Sequence, residues 1–262
     1  MRALATAATG MMAQELNVQV ISNNIANMRT TGYKRQSAEF QDLLYEHVRR
    51  IGTQTSTQGN ILPVGIDLGG GVKTVGTPRL MTQGTLNPTG ADLDLAIRGE
   101  GFFKVLMPDG TFTYTRDGSF QMDNQGRIVT AAGNVVQPGV NIPTNAQSIT
   151  INAQGQVSAT VPGSSTPSVL GQLVLTRFVN KAGLQAIGDN LFVETPASGT
   201  PQDGTPNVDG MGDIQQGNLE AANVEAVTEI TNLIAAQRAY EMNGKVISAA
   251  DQMLQTTSQL MR

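Results

Sequence analysis

Apolar side chains recur at Leu4, Ala8, Met11, Val18, Ile21, Ile25 and Met28, spaced mostly by three, four or seven. That is the period of one helix face, and it predicts a helix over residues 1 to about 28. Gly32 supplies the stop. Four asparagines (Asn17, Asn23, Asn24 and Asn27) crowd the end of the segment, and Tyr33, Lys34 and Arg35 follow it. From Lys34 to Arg50 the pattern "KRQSAEFQDLLYEHVRR" fits either a second short helix or an extended arm.

The period then changes. Residues 51–90 are rich in Gly, Thr, Gln and Pro, with short β-like runs such as "VKTV", and read as long loop and edge strands. Between 93 and 137, "DLDLAI" and "TFTYTR" alternate in the two-residue period of a strand. Turn signals fall at Asp109-Gly110, Asp117-Gly118, Asp123 to Gly126 and near Gly133. Four turns at short, fairly even spacing predict a β-meander. Short β segments continue to about 215, interrupted by a loop over 195–213.

From Leu219 to Met261 the helical period returns, with no Pro and Gly244 as the only glycine. A stripe steps through Ala226, Ile230, Leu233, Gln237, Tyr240, Gly244, Ile247, Asp251, Leu254, Ser258 and Met261, and Val227, Ile234, Val246, Ala250, Met253 and Leu260 widen it. Forty-odd helical residues would run about 60 Å, far beyond the usual globular helix.

The predicted fold class is α+β: long N- and C-terminal helices packed as a coiled-coil-like stalk, with a central β-rich module of short antiparallel strands. The divisions fall at 1–30 (N-terminal assembly helix), 31–90 (extended region), 91–215 (β module) and 216–262 (C-terminal assembly helix). Two helices cannot cover stripes this wide. The excess is expected to meet other chains through Leu4, Met11, Val18 and Ile25 on the first helix. On the second the same role falls to Ile230, Leu233, Tyr240, Ile247 and Leu254.

Composition changes this picture modestly. Charged residues are 15 % of the 262 and aromatics 4 %, with Gln, Asn, Thr, Ser and 29 Gly in their place. Such a surface repels copies of itself little. A net charge of −4 offers nucleic acid no general attraction. The absence of cysteine excludes disulfides, thiolate chemistry and Cys-based zinc sites. No continuous apolar core of a cleavable signal opens the sequence, and no window approaches a membrane-spanning helix.

Candidate chemistry is sparse, and neither an enzyme nor a cofactor is expected. The single histidine, His47, sits beside Glu46 and Arg49 in a polar run, without a Gly-x-Ser-x-Gly elbow. "RGEGFF" has Lys104 where a dinucleotide loop needs its third glycine. Gly69 to Gly71 lack the Lys-Ser/Thr of a phosphate loop and read as close-packing backbone. Asp203, Asp209 and Asp213 lack the order of a calcium loop and read as turn residues. Asp92 and Asp94 read as solvent-facing strand residues.

At "SNNIANMRTTGYKRQSAEFQDLL" and "NLEAANVEAVTEITNLIAAQRAYEMNGKVISAADQMLQ" the chain resembles the bacterial flagellar rod and hook family. Between them, "LAIRGEGFFKVLMPDGTFTYTRDGSFQMDNQGRIVTAAGNVVQP" is similar to that family's central β module. Length and the 45–68 segment point to the distal-rod type, with a second proximal rod type as nearest alternative. The resemblance implies a helical homopolymer that forms a straight, hollow, torque-transmitting tube across the periplasm. It also implies type III export without a cleavable signal. Its expected partners are proximal rod proteins, hook protein, periplasmic and outer-membrane ring proteins, rod cap and export apparatus. Thr53, Gln54, Gln58, Gly59 and Pro63 are expected to mark a segment that keeps the rod straight. A reading from another class is a secreted β-rich binding module with a helical oligomerisation stalk.

Overall fold

The computed structural model describes residues 2–50, 64–163 and 166–260. The chain divides into two compact units, one of residues 1–25, 36–78 and 225–262, the other of 26–35 and 79–224.

The first unit holds both long helices, α1 (Arg2–Ala26) and α2 (Ala226–Leu260). Residues 34–50 are extended. Strand Glu39–Asp42 pairs antiparallel with Val72–Gly76, and Tyr45–Arg49 with Ile66–Gly69. A helix here would have left the backbone of 66–76 without partners; the ladder satisfies both.

The second unit is built of short antiparallel strands. Strand Phe102–Leu106 is its centre, paired along one edge with Phe112–Thr115. Its other edge is shared by Leu175–Arg177 and Val135–Val136. Side chains alternate across this strand, so Phe103 and Val105 enter a core with Leu95, Ile128, Val157, Leu175 and Ile214. Phe102 points into a second cluster with Tyr114, Phe178, Leu184 and Phe192. Tyr114 and Phe178 meet edge to face at 4.7 Å, and Phe103 and Phe120 at 5.0 Å.

This is not the simple meander that the turn spacing predicts. The chain turns back at Asp109-Gly110, at Asp123 to Gly126 and near Gly133. After Asp117-Gly118 it does not return along Phe112–Thr115, whose free edge takes Leu191–Val193 instead. Gly118 passes too close to the Leu95 carbonyl for any side chain, and Ser119 bridges to Asp94.

The segment following α1 is pinned within this second unit. Gly32 has φ +69, donates its N–H to the Glu220 carbonyl at 2.8 Å, and has no room for a Cβ against the Arg116–Asp117 backbone. Lys34 and Glu220 are buried and paired at 2.5 Å, and buried Arg116 reaches the other carboxylate oxygen at 3.2 Å. The remaining donors are used as well. Lys34 Nζ also donates to the Thr82 carbonyl, Arg116 to the Ile97 and Gly99 carbonyls, and the Gly84 N–H to Glu220 Oε1. Burial pushes the Lys34 ammonium below its usual pKa despite the Glu220 carboxylate beside it, and lowers Arg116 in the same way.

This cluster also explains why the C-terminal helix starts at Ala226, seven residues after Leu219 where its period begins. Asn218–Glu220 is held as a strand against Leu86–Pro88, and Asn223 is held by the carbonyls of Leu80 and Thr82. An ion pair and a ladder outweigh the favourable helix propensity of Leu, Glu and Ala in "LEAAN", which is worth only tenths of a kcal/mol per residue.

Candidate assembly interface

Within the helical unit α1 and α2 run antiparallel. A Cβ at Gly10 would lie 2.8 Å from Asn243 Nδ2, and Asn24 Nδ2 donates to Glu229 Oε2 at 3.1 Å. Fourteen residues forward on α1 are thus fourteen back on α2, so the register is constant. The strip of α2 along that line is Glu229, Ala236, Asn243 and Ala250, seven apart. Three of the four are the helix's buried residues, and Asn243 is half-buried. The matching strip of α1 is Gly10, Asn17 and Asn24. On α2 small and polar residues, not large apolar ones, occupy this line; α1 buries Val20 and Ile21 as well as Ala7, Ala13 and Asn24.

The large apolar residues flank that strip in two lines, each also seven apart. Leu233, Tyr240, Ile247 and Leu254 lie on one side; Val246, Met253 and Leu260, in line with the small Ala239, lie on the other. Leu233 and Ile247 are half-buried, while Tyr240 and Leu254 are exposed. Ile230 is exposed, as are Val227 and Ile234 beside it. On α1, Leu4, Met11, Val18 and Ile25 form one seven-residue line and are all half-buried. Among the described residues neither helix fully buries a Leu, Met or aromatic side chain.

Two features hold the register. Asn24 is fully buried; its amide donates to the Gln36 carbonyl at 2.8 Å, and its oxygen accepts the Gln36 N–H at 2.9 Å. The asparagines that crowd this end of α1 therefore include one that ties helix to extended arm. Gly71, with φ +113, lies so close to α1 that a Cβ would fall 2.3 Å from Thr9 Oγ1, while that hydroxyl accepts the Val72 N–H. The glycine triplet is a close-packing backbone at this position.

The ribbon Tyr45–Arg49/Ile66–Gly69 is exposed along both strands, with Leu44, Tyr45, Val48, Val64, Ile66 and Leu68 open to solvent. A two-stranded ribbon is marginal on its own. Sequence periodicity does not single out this surface, because its apolar residues are scattered among charges. Thr53, Gln54, Gln58, Gly59 and Pro63 lie outside the described residues.

The residues weighed for chemistry are separated. His47 is exposed and pairs with Asp67 at 2.6 Å across the ribbon. Asp203 accepts from Lys104 and Thr176, and Asp213 pairs with Arg98. Burial of Asp203 works to raise its pKa, yet its bonds to Lys104 and Thr176 and the lysine's charge hold it below the usual carboxylate value. Asp209 occupies a left-handed turn position, φ 51. Asp94 accepts the Thr89 hydroxyl at 2.5 Å. No group of three acidic or histidine side chains among the described residues is placed to hold a metal.

The sequence is similar to those of known proteins. Residues 4–34 match the family model described as flagella basal body rod protein, and residues 215–260 the C-terminal model of flagellar basal body rod FlgEFG proteins. Residues 96–159 match the D1 domain of the flagellar hook protein FlgE/F/G group. The flagellar basal-body rod protein FlgG of Caulobacter vibrioides is 56% identical over 260 residues, covering 99% of both chains. Its namesake in Agrobacterium fabrum is 50% identical over 98% of both chains, and that of Bacillus subtilis 36% over the full length of each.

Proposed function

The chain belongs to the flagellar basal-body rod protein family, and from that premise we propose that it polymerises into the straight, hollow distal rod that carries torque from motor to hook. The observation that carries this reading is the placement of α2's large apolar residues. They form two continuous lines that its intramolecular partner leaves partly or wholly uncovered. A helix with an apolar line on either side of its contact strip is suited to neighbours on both sides. Contacts of that kind, repeated between unlike patches, do not close on a dimer and generate a helical polymer.

The β module has its own closed core, so the uncovered lines of the helices are left to make the contacts between copies. A weakly charged surface suits many shallow contacts rather than one deep site. The tube crosses the periplasm, meets proximal rod proteins and hook protein at its ends and ring proteins at its sides, and grows beneath a cap from subunits delivered by the flagellar export apparatus. Residues 45–68 set its straightness by bridging stacked copies. Deleting part of 53–60 should leave a polymer that bends more readily in electron micrographs; an unchanged straight rod would reduce the stretch to a surface loop.

Negative-stain imaging of the purified chain at rising concentration tests the central reading. Open filaments are expected. Discrete closed oligomers at every concentration would favour a secreted binding module on a helical stalk.

A further inference from the structure

The first two turns of α1, the chain around Leu44 and Glu46, the Leu68–Gly70 corner and Val246 of α2 surround a groove of about 630 Å³. Its walls include Ala3, Ala7, Leu44, Leu68 and Val246, and Gly69 and Gly70 contribute no side chain. Its charged members, Arg2 and Glu46, are paired with each other at 2.6 Å. The volume lies in the range of pockets that hold several apolar groups, about 300–1,000 Å³.

The same unit carries a segment without cover. Every residue from Asp251 to Leu260 is exposed. Continued at constant register, the Gly10–Asn243 contact brings Arg2, the first described residue of α1, opposite Asp251, so among the described residues no helix lies beside the last turns of α2. Met253, Thr257 and Leu260 stand at i, i+4 and i+7 there, the spacing with which a helix lays one face into a groove. Asp251 is the one charge in the segment, which suits a groove whose own charges are already matched.

We propose that residues 251–260 of one copy seat in this groove of a neighbouring copy. The segment cannot enter its own groove, because α2 is continuous through Val246 on the groove wall and carries Met253 to Leu260 away from it at about 1.5 Å per residue. Segment and groove are different patches of one chain, so the contact is heterologous and propagates. The proposal rests on the polymer reading and specifies one contact within it.

The chain has no cysteine, so introduced thiols report alone. Leu68→Cys and Met253→Cys are both at exposed positions and should leave the isolated fold intact by circular dichroism. Mixed, assembled and oxidised, the two variants should give a covalent dimer that neither gives by itself. In the charge version, Met253→Lys should raise the concentration needed for assembly roughly tenfold or more, and adding Leu68→Glu should recover most of it. Filaments that form without cross-linking, or a double charge variant no better than the single, overturn the groove contact and leave the polymer reading standing. If the unsubstituted chain forms no assembly at all, the polymer reading fails and the groove contact with it.

Discussion

Phe103 and Ile230 are both large apolar residues in regular elements, yet Phe103 is 0 % exposed and Ile230 49 %. The difference runs through the two units. The β unit closes its core inside one chain, to the point of burying Lys34, Arg116 and Glu220 with their hydrogen bonds satisfied. The helical unit buries Ala7, Ala13, Val20, Ile21, Ala236 and Ala250, and leaves Val227, Ile230, Ile234 and Met253 in water. Stability of the first is a property of the monomer. Much of what could stabilise the second is deferred until another surface arrives. One chain can in this way present a finished module and an unfinished one.

Substitution should separate the two most strongly at these same residues. Phe103→Ala removes a ring from a close-packed core and should cost about 3–5 kcal/mol, read by denaturant unfolding of the monomer. Ile230→Asp places a carboxylate on a half-open helix face, so monomer unfolding should shift by no more than about 0.5 kcal/mol. Assembly and motility should be lost, because in a packed seam an unpaired charge is expensive. Normal swimming with Ile230→Asp would show that this face stays in water.

The next effect concerns the buried ions. Glu220→Gln leaves Lys34 and Arg116 buried side by side without their shared anion and should cost about 3 kcal/mol or more. Because Lys34 already loses its proton below the ordinary 10.5 in the folded state, the unfolded chain holds more protons between those two values, and stability rises with pH there. Removing the Glu220 charge widens that window, so the variant should regain stability as pH is raised toward 10. A deficit constant from pH 7 to 10 would mean that packing, rather than charge, is what Glu220 contributes.

The same contrast explains what could be read from the sequence. Both helices were legible because three-and-four spacing records every apolar face, whatever covers it. For that reason the spacing could not separate Ala236 and Asn243, on the line of α1, from Tyr240 and Met253, which lie beside it. Strand segments were legible by alternation. The pairing of Phe112–Thr115 with Leu191–Val193 was not, since nothing local encodes a partner some eighty residues away. Lys34 and Glu220 were the most hidden. Each reads as a solvated charge in its own neighbourhood, and only the fold brings them together across 186 positions.

A smaller effect should appear at high pH, again in the β unit alone. Burial first, then the Glu194 and Asp203 carboxylates, push the Tyr114 phenol up to about 12 from its ordinary 10.0. Between those values the unfolded chain has lost a proton that the folded unit keeps, so stability falls as pH rises. Ultraviolet titration should show one phenol ionising late, and Tyr114→Phe should flatten the loss of stability above pH 10. A variant with the same alkaline loss as the parent would place its origin elsewhere.

Gly244 gives the smallest effect and the closest test of what the helical unit is unfinished for. It sits inside α2, where glycine is poorly suited, and a Cβ there would meet nothing within 4 Å. Within the monomer, Gly244→Ala should therefore stabilise the helix by about 1 kcal/mol. Gly244 lies fourteen residues from Ile230 on the same outer side of the line Leu233, Tyr240, Ile247 and Leu254. If another helix packs there, the missing side chain is where two backbones approach, and the stabilised monomer should assemble less well than its parent. Larger side chains should worsen assembly in order of size while monomer stability changes little. An alanine variant that is both more stable and equally competent in assembly would show that no neighbour uses this notch, and would move the interface to the Val246, Met253 and Leu260 side of the helix.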